Sequence, residues 1–85
     1  MRIAVLGLGY VGSVTAACLS SLGHKVIGVD ILEEKTAAIR RGEAPVAEPG
    51  LSRMIADATR DDLLDATTDT RAAVRATDAV FVCVG

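Results

Sequence analysis

Residues 2–12 read Arg-Ile-Ala-Val-Leu-Gly-Leu-Gly-Tyr-Val-Gly, and this stretch decides the fold class. Residues 2–6 are a short run of mostly branched apolar residues, which predicts a strand buried on both faces in a parallel sheet. Gly7, Gly9 and Gly12 follow with the spacing G-x-G-x-x-G. That spacing alone is also compatible with an ordinary tight turn, so its meaning depends on what surrounds it.

A helix is expected to open within the glycine turn. Its apolar residues recur at helical spacing, and they predict a stripe that faces the core. The stripe consists of Val11, Val14, Cys18 and Leu22, with Leu19 beside it. Gly23 is expected to end the helix as a C-terminal cap.

A second apolar strand over residues 25–30 ends in Asp30, 18 residues after Gly12. An acid at about 20 residues completes the dinucleotide-binding fingerprint. Gly7 then permits the sharp turn, Gly9 lets a pyrophosphate approach the backbone, and Gly12 lets the helix pack close to the sheet. Asp30 is expected to bind the ribose hydroxyls of the adenosine half, although a helix-capping aspartate is the alternative.

The rest of the chain continues to alternate helices and strands. The predicted segments are a helix over 33–41, a loop over 43–50, a helix from Leu51 to Ala58, a weak strand over 63–68, a helix capped by Asp69 through Ala76, and a strand over 79–84. This pattern predicts an α/β fold, a Rossmann-type doubly wound parallel sheet with strand order 3-2-1-4. A complete fold of this type has further strands, so residues 1–85 are expected to be only the N-terminal part of the domain.

Composition excludes several other classes of function. The chain has 85 residues and a formal net charge of -2, which argues against nucleic acid or an anionic membrane as partner. Cys18, Cys83 and His24 form no metal-ligand pattern, so no metal site is expected. The free cysteines favour a reduced, cytoplasmic setting. An export signal at the N-terminus is disfavoured because the glycines interrupt its apolar segment.

The identity of the dinucleotide follows from the acid. A 2′-phosphate would be repelled by Asp30 and would require an arginine beside it, but Ile31 and Leu32 follow. The sequence therefore predicts NAD rather than NADP. FAD stays a minor alternative because flavoproteins share the glycine fingerprint.

Several motifs together resemble the N-terminal domain of UDP-glucose/GDP-mannose dehydrogenases, over essentially the whole chain. They are Gly-Leu-Gly-Tyr-Val-Gly at 7–12, Val-Asp at 29–30 with Lys35, Thr-Thr-Asp at 67–69, Glu-Pro-Gly-Leu at 48–51, and Phe-Val-Cys-Val-Gly at 81–85. The Gly-Tyr-Val-Gly turn and the Glu-Pro-Gly-Leu loop are the more specific features, because most other dehydrogenases with this glycine turn lack the second.

The resemblance implies a nucleotide-sugar dehydrogenase that uses two NAD to oxidise the C6 alcohol of UDP-glucose or GDP-mannose to the uronate. It implies cofactor contacts from the backbone of Tyr10 and Val11, from Asp30 on the ribose, and from Lys35 beside it. The catalytic residues, including a nucleophilic cysteine, would lie beyond Gly85, so none is assigned within the chain. A nucleotide-sugar substrate bound through absent domains and a homo-oligomeric full-length enzyme are also implied.

The sequence is also compatible with other interpretations. Cys83 is expected to be a buried small hydrophobe in a strand rather than a nucleophile. Lys35 could be a solvated surface lysine, and Glu48 is taken as a solvated loop carboxylate. A dehydrogenase of the 3-hydroxyacid or 6-phosphogluconate type is one alternative function. A non-catalytic NAD-sensing or ion-channel regulatory module is another.

Overall fold

The computed structural model describes residues 1–83 of the chain. Within them, strands and helices alternate as the sequence predicts. The elements are β1 (Arg2–Leu6), α1 (Tyr10–Ser21), β2 (Lys25–Val29), α2 (Glu33–Arg40), α3 (Leu51–Arg60), β3 (Leu64–Thr67), α4 (Thr70–Arg75) and β4 (Ala79–Val82). The predicted extension of the last strand to Val84 lies outside the described residues.

The strands form one parallel sheet with the order β3-β2-β1-β4. The predicted doubly wound fold and its strand order are therefore confirmed. β1 lies in the interior of the sheet, and its Ile3, Ala4 and Val5 are buried on both faces. This agrees with the sequence of β1, in which the apolar residues are consecutive. In a half-exposed strand they would alternate with polar residues.

The two faces of the sheet are covered unequally. On one face, α1 and α3 enclose the larger core, which includes Ile3, Val5, Leu8 and Ile55. On the other face, the short α4 covers a small cluster centred on Ala4 and Ala73. Asp69 caps α4 by accepting a hydrogen bond of 3.0 Å from the N–H of Ala72, as expected.

The predicted core-facing stripe of α1 is wrong at three positions, whereas Val14 and Leu19 are half-buried and pack against the larger core as expected. Val11 and Leu22 are 62% and 74% exposed, and Cys18 is also exposed. The fully buried residues of α1 are all small: Gly12, Ser13, Ala16, Ala17 and Ser20. Small side chains let the helix axis approach the sheet closely, so close packing here outweighed the burial of larger apolar side chains.

Within residues 1–83, no helix combines the length and the apolar character needed to cross a bilayer.

Candidate dinucleotide site

An open cleft lies at the edge of the sheet where β1 and β2 end. One cavity of about 330 Å³ is lined by Gly7, Gly9, Asp30, Ile31, Leu32, Lys35 and Cys83. A second cavity of about 270 Å³ shares Gly7, Asp30 and Ile31 with the first. In open parallel sheets, ligands bind outside the carboxyl ends of the strands. Four of the predicted site residues, including Lys35, thus line one cleft at that edge.

Each glycine of the turn has a different structural reason. Gly7 adopts a φ of 99°, a left-handed conformation that favours glycine. A Cβ at Gly12 would lie 1.6 Å from the carbonyl oxygen of Gly7, so no side chain fits there. A Cβ at Gly9 would meet no protein atom within 4 Å. The backbone at Gly9 is therefore open to the cleft, as close approach of a pyrophosphate requires.

The start of α1 is open in the same way. Gly9 is the N-cap residue and supplies no side-chain hydrogen bond, and the first turn contains no acidic residue. The first N–H groups of a helix have no acceptors within the helix, and the helix dipole is positive at this end. The backbone of Tyr10 and Val11 belongs to this turn. It offers N–H groups to an anion, which is the geometry of phosphate sites at helix N-termini.

Asp30 follows β2 and bridges two turns. Its Oδ2 accepts a hydrogen bond of 2.8 Å from the N–H of Leu8, and its Oδ1 accepts one of 2.9 Å from the N–H of Leu32. Burial by itself would raise the pKa of Asp30. The backbone N–H groups of Leu32, Leu8 and Ile31 and the positive charge of Lys35 outweigh burial, so the pKa is lowered from its ordinary value. Asp30 is thus anionic at neutral pH.

Lys35 lies on the first turns of α2, is half-buried, and lines the same cavity as Asp30. Its positive charge helps to lower the pKa of the Asp30 carboxyl group. The structure therefore brings Lys35 and Asp30 together at the cleft. A solvated lysine remote from the site would not fit this placement.

Ile31 is a further cleft residue, and the sequence indicated it only as evidence against NADP. It is 89% exposed although it is a large apolar residue, and it lines both cavities. Thr70, the first residue of α4, also lines the second cavity. The position of Ile31 directly after the acid was the available signal, because that position lies at the carboxyl edge of the sheet.

Cys83 differs in part from its prediction. It follows β4 instead of lying within it, and it is only half-buried. Its side chain packs against the larger core and lines the cleft near Gly9. His24 precedes β2 at the opposite edge of the sheet, as predicted. Across residues 1–83, no group of three His, Cys, Asp or Glu residues is arranged to hold a metal ion.

Glu48 has a partner that the sequence did not reveal. Its carboxylate lies beside the phenol of Tyr10 at the start of α1. The negative charge of Glu48, a smaller effect of burial, and a hydrogen bond to Glu48 together raise the pKa of Tyr10. The charge of the Glu-Pro-Gly-Leu loop therefore acts on Tyr10, the first residue of α1.

Comparisons with known proteins agree with this geometry. Residues 1–85 match the sequence profile of the UDP-glucose/GDP-mannose dehydrogenase family, NAD binding domain. The chain belongs to this family. NAD is accordingly the cofactor of the domain, and the resemblance noted from the sequence is confirmed. The match also disfavours a dehydrogenase of the 3-hydroxyacid or 6-phosphogluconate type.

Individual relatives share the whole chain but are much longer. The GDP-mannose 6-dehydrogenase of Pseudomonas syringae pv. syringae is 48% identical over 100% of this chain, which spans 19% of that protein. The UDP-glucose 6-dehydrogenase of Rhizobium meliloti is 41% identical over 100% of this chain and 20% of its own length. The chain therefore spans about one fifth of the relatives that it matches.

Solved structures show the same fold. A ternary complex of GDP-mannose dehydrogenase from Pseudomonas aeruginosa superimposes with a TM-score of 0.98 at 47% identity, over 100% of this chain and 20% of that one. A UDP-glucose dehydrogenase from Pyrobaculum islandicum gives a TM-score of 0.94 at 39% identity, over 99% and 19%.

Proposed function

We propose that this chain is the cofactor-binding part of a nucleotide-sugar 6-dehydrogenase, which oxidises the C6 alcohol of UDP-glucose or GDP-mannose to the uronate with two NAD. One observation carries the cofactor site: the open backbone at Gly9, the uncapped start of α1 and the anionic Asp30 meet in a single cleft. GDP-mannose is the first substrate to test, because relatives with that name are 46–48% identical to the chain.

In this proposal, the residues of the cleft bind and orient NAD. Gly7, Gly9 and Gly12 shape the turn, and the backbone N–H groups of Tyr10 and Val11 receive the pyrophosphate.

Asp30 accepts hydrogen bonds from the ribose hydroxyls, Lys35 lies beside it, and Ile31 offers an apolar surface to the adenine. Bound NAD supplies the hydride acceptor of the reaction, and the chain supplies its position.

We further propose that the substrate is held by other domains of a longer protein. Alcohol oxidation to an acid requires a base and a nucleophile beside the substrate. His24 lies at the wrong edge of the sheet, and Cys83 packs against the core and lines the cavity assigned to the cofactor. Residues 1–85 alone are therefore expected to make no NADH from either sugar nucleotide. NADH production that disappears in a Cys83→Ala variant would overturn this division of roles.

The cofactor assignment is tested by titrating NAD and NADP into the chain and following both by NMR. NAD is expected to bind at least about tenfold more tightly, a difference of about 1.4 kcal/mol, because Asp30 repels a 2′-phosphate. An Asp30→Ala variant should bring the two affinities closer together. Equal affinity of the unaltered chain for the two cofactors, or no binding of NAD at all, would contradict the proposal.

A further inference from the structure

Leu8, the second residue of the glycine turn, is fixed at three points. Its N–H donates a hydrogen bond of 2.8 Å to the carboxylate of Asp30. Its carbonyl oxygen accepts one of 3.0 Å from the hydroxyl of Ser13, a residue with no exposed surface. Its side chain is fully buried in the larger core. Protein groups therefore hold this turn through both the backbone and the side chain of Leu8.

Gly28 of β2 provides the space for the Leu8 side chain. A Cβ at Gly28 would lie 2.8 Å from Cδ2 and 3.2 Å from Cδ1 of Leu8. Because Leu8 is fully buried, a methyl group at Gly28 would require its side chain to shift within the packed core. The absence of a side chain at Gly28 of β2 thus leaves room for Leu8 in the turn that follows β1.

Asp30 joins this arrangement to the second turn of the cleft. Its other carboxylate oxygen accepts the N–H of Leu32, so the two oxygens hold the turns after β1 and after β2 together. The N–H of Gly7 adds a hydrogen bond of 2.7 Å to the carbonyl oxygen of Val29. Hydrogen bonds between protein groups therefore connect the two turns across the cleft floor.

We propose that Asp30 is a positioning residue as well as a ribose ligand, and that it acts with Ser13 and Gly28. Together they hold the glycine turn in the conformation that receives the pyrophosphate before a nucleotide arrives. The inference rests on the proposed NAD site and adds to it. Affinity is gained here because the turn does not have to be ordered on binding.

The test uses two nucleotides that differ only at the ribose. ADP carries the diol that Asp30 is proposed to bind, whereas 2′,3′-dideoxy-ADP lacks it. The variants are Asp30→Asn, which retains size but can no longer accept both backbone N–H groups, and Ser13→Ala, which does not involve the ribose. The matched control is Asp78→Asn. Asp78 also accepts a backbone N–H, from Arg2 at 3.1 Å, but at the opposite edge of the sheet.

Asp30→Asn is expected to lower the affinity for dideoxy-ADP by about tenfold and the affinity for ADP by a larger factor. Ser13→Ala should weaken both nucleotides by the same factor, and Asp78→Asn should weaken neither. Electrostatics alone predicts the opposite for dideoxy-ADP, because removing the negative charge of Asp30 favours an anion. Unchanged or tighter binding of dideoxy-ADP to Asp30→Asn would overturn the inference, while weaker ADP binding would still support the ribose contact.

A ligand-free measurement separates this inference from the proposed function. Hydrogen exchange at the amides of Leu8 and Gly9 is expected to be faster in Asp30→Asn than in the unaltered chain, and unchanged in Asp78→Asn. If NAD and ADP fail to bind the unaltered chain, the proposed function fails, and this measurement alone decides the positioning role. Equal exchange rates in all three proteins would overturn that role.

Discussion

The two ends of α1 are built in opposite ways. At the C-terminal end, the N–H of Gly23 donates to the carbonyl oxygen of Ser20 at 2.9 Å, and that of His24 donates to Leu19 at 3.3 Å. These are the paired hydrogen bonds of a Schellman motif, with Gly23 at a φ of 96°. At the N-terminal end, Gly9 provides no side-chain cap. One end is closed by the helix's own backbone, and the other is left open.

The same closure recurs in the neighbouring helices, so it is the ordinary solution in this chain. α2 ends on Gly42 and α3 on Asp62, each with a positive φ and the same pair of hydrogen bonds. α2 also begins with Glu33 and Glu34, whose charges suit the dipole. α1 has neither an acid nor a capping side chain at its start. The start of α3 lacks both as well, so what distinguishes the open end of α1 is its position at the cleft, where Gly9 lines the cavity and a ligand can complete it.

The largest expected effect is on stability, and it comes from replacing Gly12 near the open end of α1. Gly12→Val would place carbon atoms onto the Gly7 carbonyl, so the chain is expected to lose more than about 3 kcal/mol of stability. Gly23→Ala is the control at the closed end, where no atom lies within 4 Å but φ is positive. It should cost only about 1–2 kcal/mol. Urea unfolding followed by circular dichroism measures both values.

Equal free energies of unfolding for Gly12→Val and Gly23→Ala would contradict this prediction. That result would mean that α1 can move away from the sheet without loss. The small-residue face that packs against the sheet would then not require close approach.

The next largest effect is a loss of NAD affinity with no change in stability. Gly9→Ala has an allowed backbone conformation, with φ at -72°, and its methyl group would meet no protein atom. Its unfolding midpoint should match that of the unaltered chain, while NAD affinity should fall by about tenfold or more because the methyl occupies the pyrophosphate space. An NMR titration with NAD provides the affinity. Unchanged affinity in a folded variant would place the phosphates elsewhere.

A smaller effect is the response of amide signals to pH, which should differ between the two ends of α1. Because the pKa of Asp30 is lowered from its ordinary 3.8, this carboxylate contributes stability above that pH. The contribution should be lost as the pH falls below 3.8 through the folded value. The amide signals of Leu8 and Leu32 should shift in that range, whereas the amide of Gly23 at the closed end should not. Titration of Leu8 above pH 5 would contradict the assignment.

The smallest effect tests the first residue of the open end. Glu48→Gln removes the charge that raises the pKa of Tyr10, so this pKa should move down toward its ordinary 10.0. Tyr10 is the single tyrosine and tryptophan is absent, so the ultraviolet absorbance of tyrosinate reports it alone. Glu43→Gln in the same loop is the control, since Glu43 pairs with Arg41. An equal shift in both variants would disprove a specific Tyr10–Glu48 pair.

The sequence predicted the fold and the cleft residues because both depend on local patterns. Branched apolar runs, glycine spacing and an acid at the end of a strand are each readable along the chain. The family match confirms the cofactor that those patterns indicated. The individual contacts with NAD stay predictions for every residue assigned to the site: Gly7, Gly9, Tyr10, Val11, Gly12, Asp30 and Lys35.

The buried face of α1 could not be read from apolar periodicity. Val11, Cys18 and Leu22 recur at helical spacing, but so do the small residues around Ala16 and Ala17. Periodicity cannot tell which of two such faces meets a sheet. The decisive constraint was the contact of Gly12 with Gly7, which exists only once the turn is folded. The links of Leu8 to Asp30 and of Tyr10 to Glu48 were equally hidden, since both join distant positions.

β4 has practical consequences for handling the protein. Among residues 1–83, β4 pairs with a strand on one side only, and its Val80, Phe81 and Val82 are 40%, 43% and 67% exposed. An exposed apolar edge strand is a template for pairing with a second molecule. A preparation of residues 1–85 alone is therefore expected to associate as its concentration rises. Light scattering over a dilution series would define the range in which the titrations above report on single molecules.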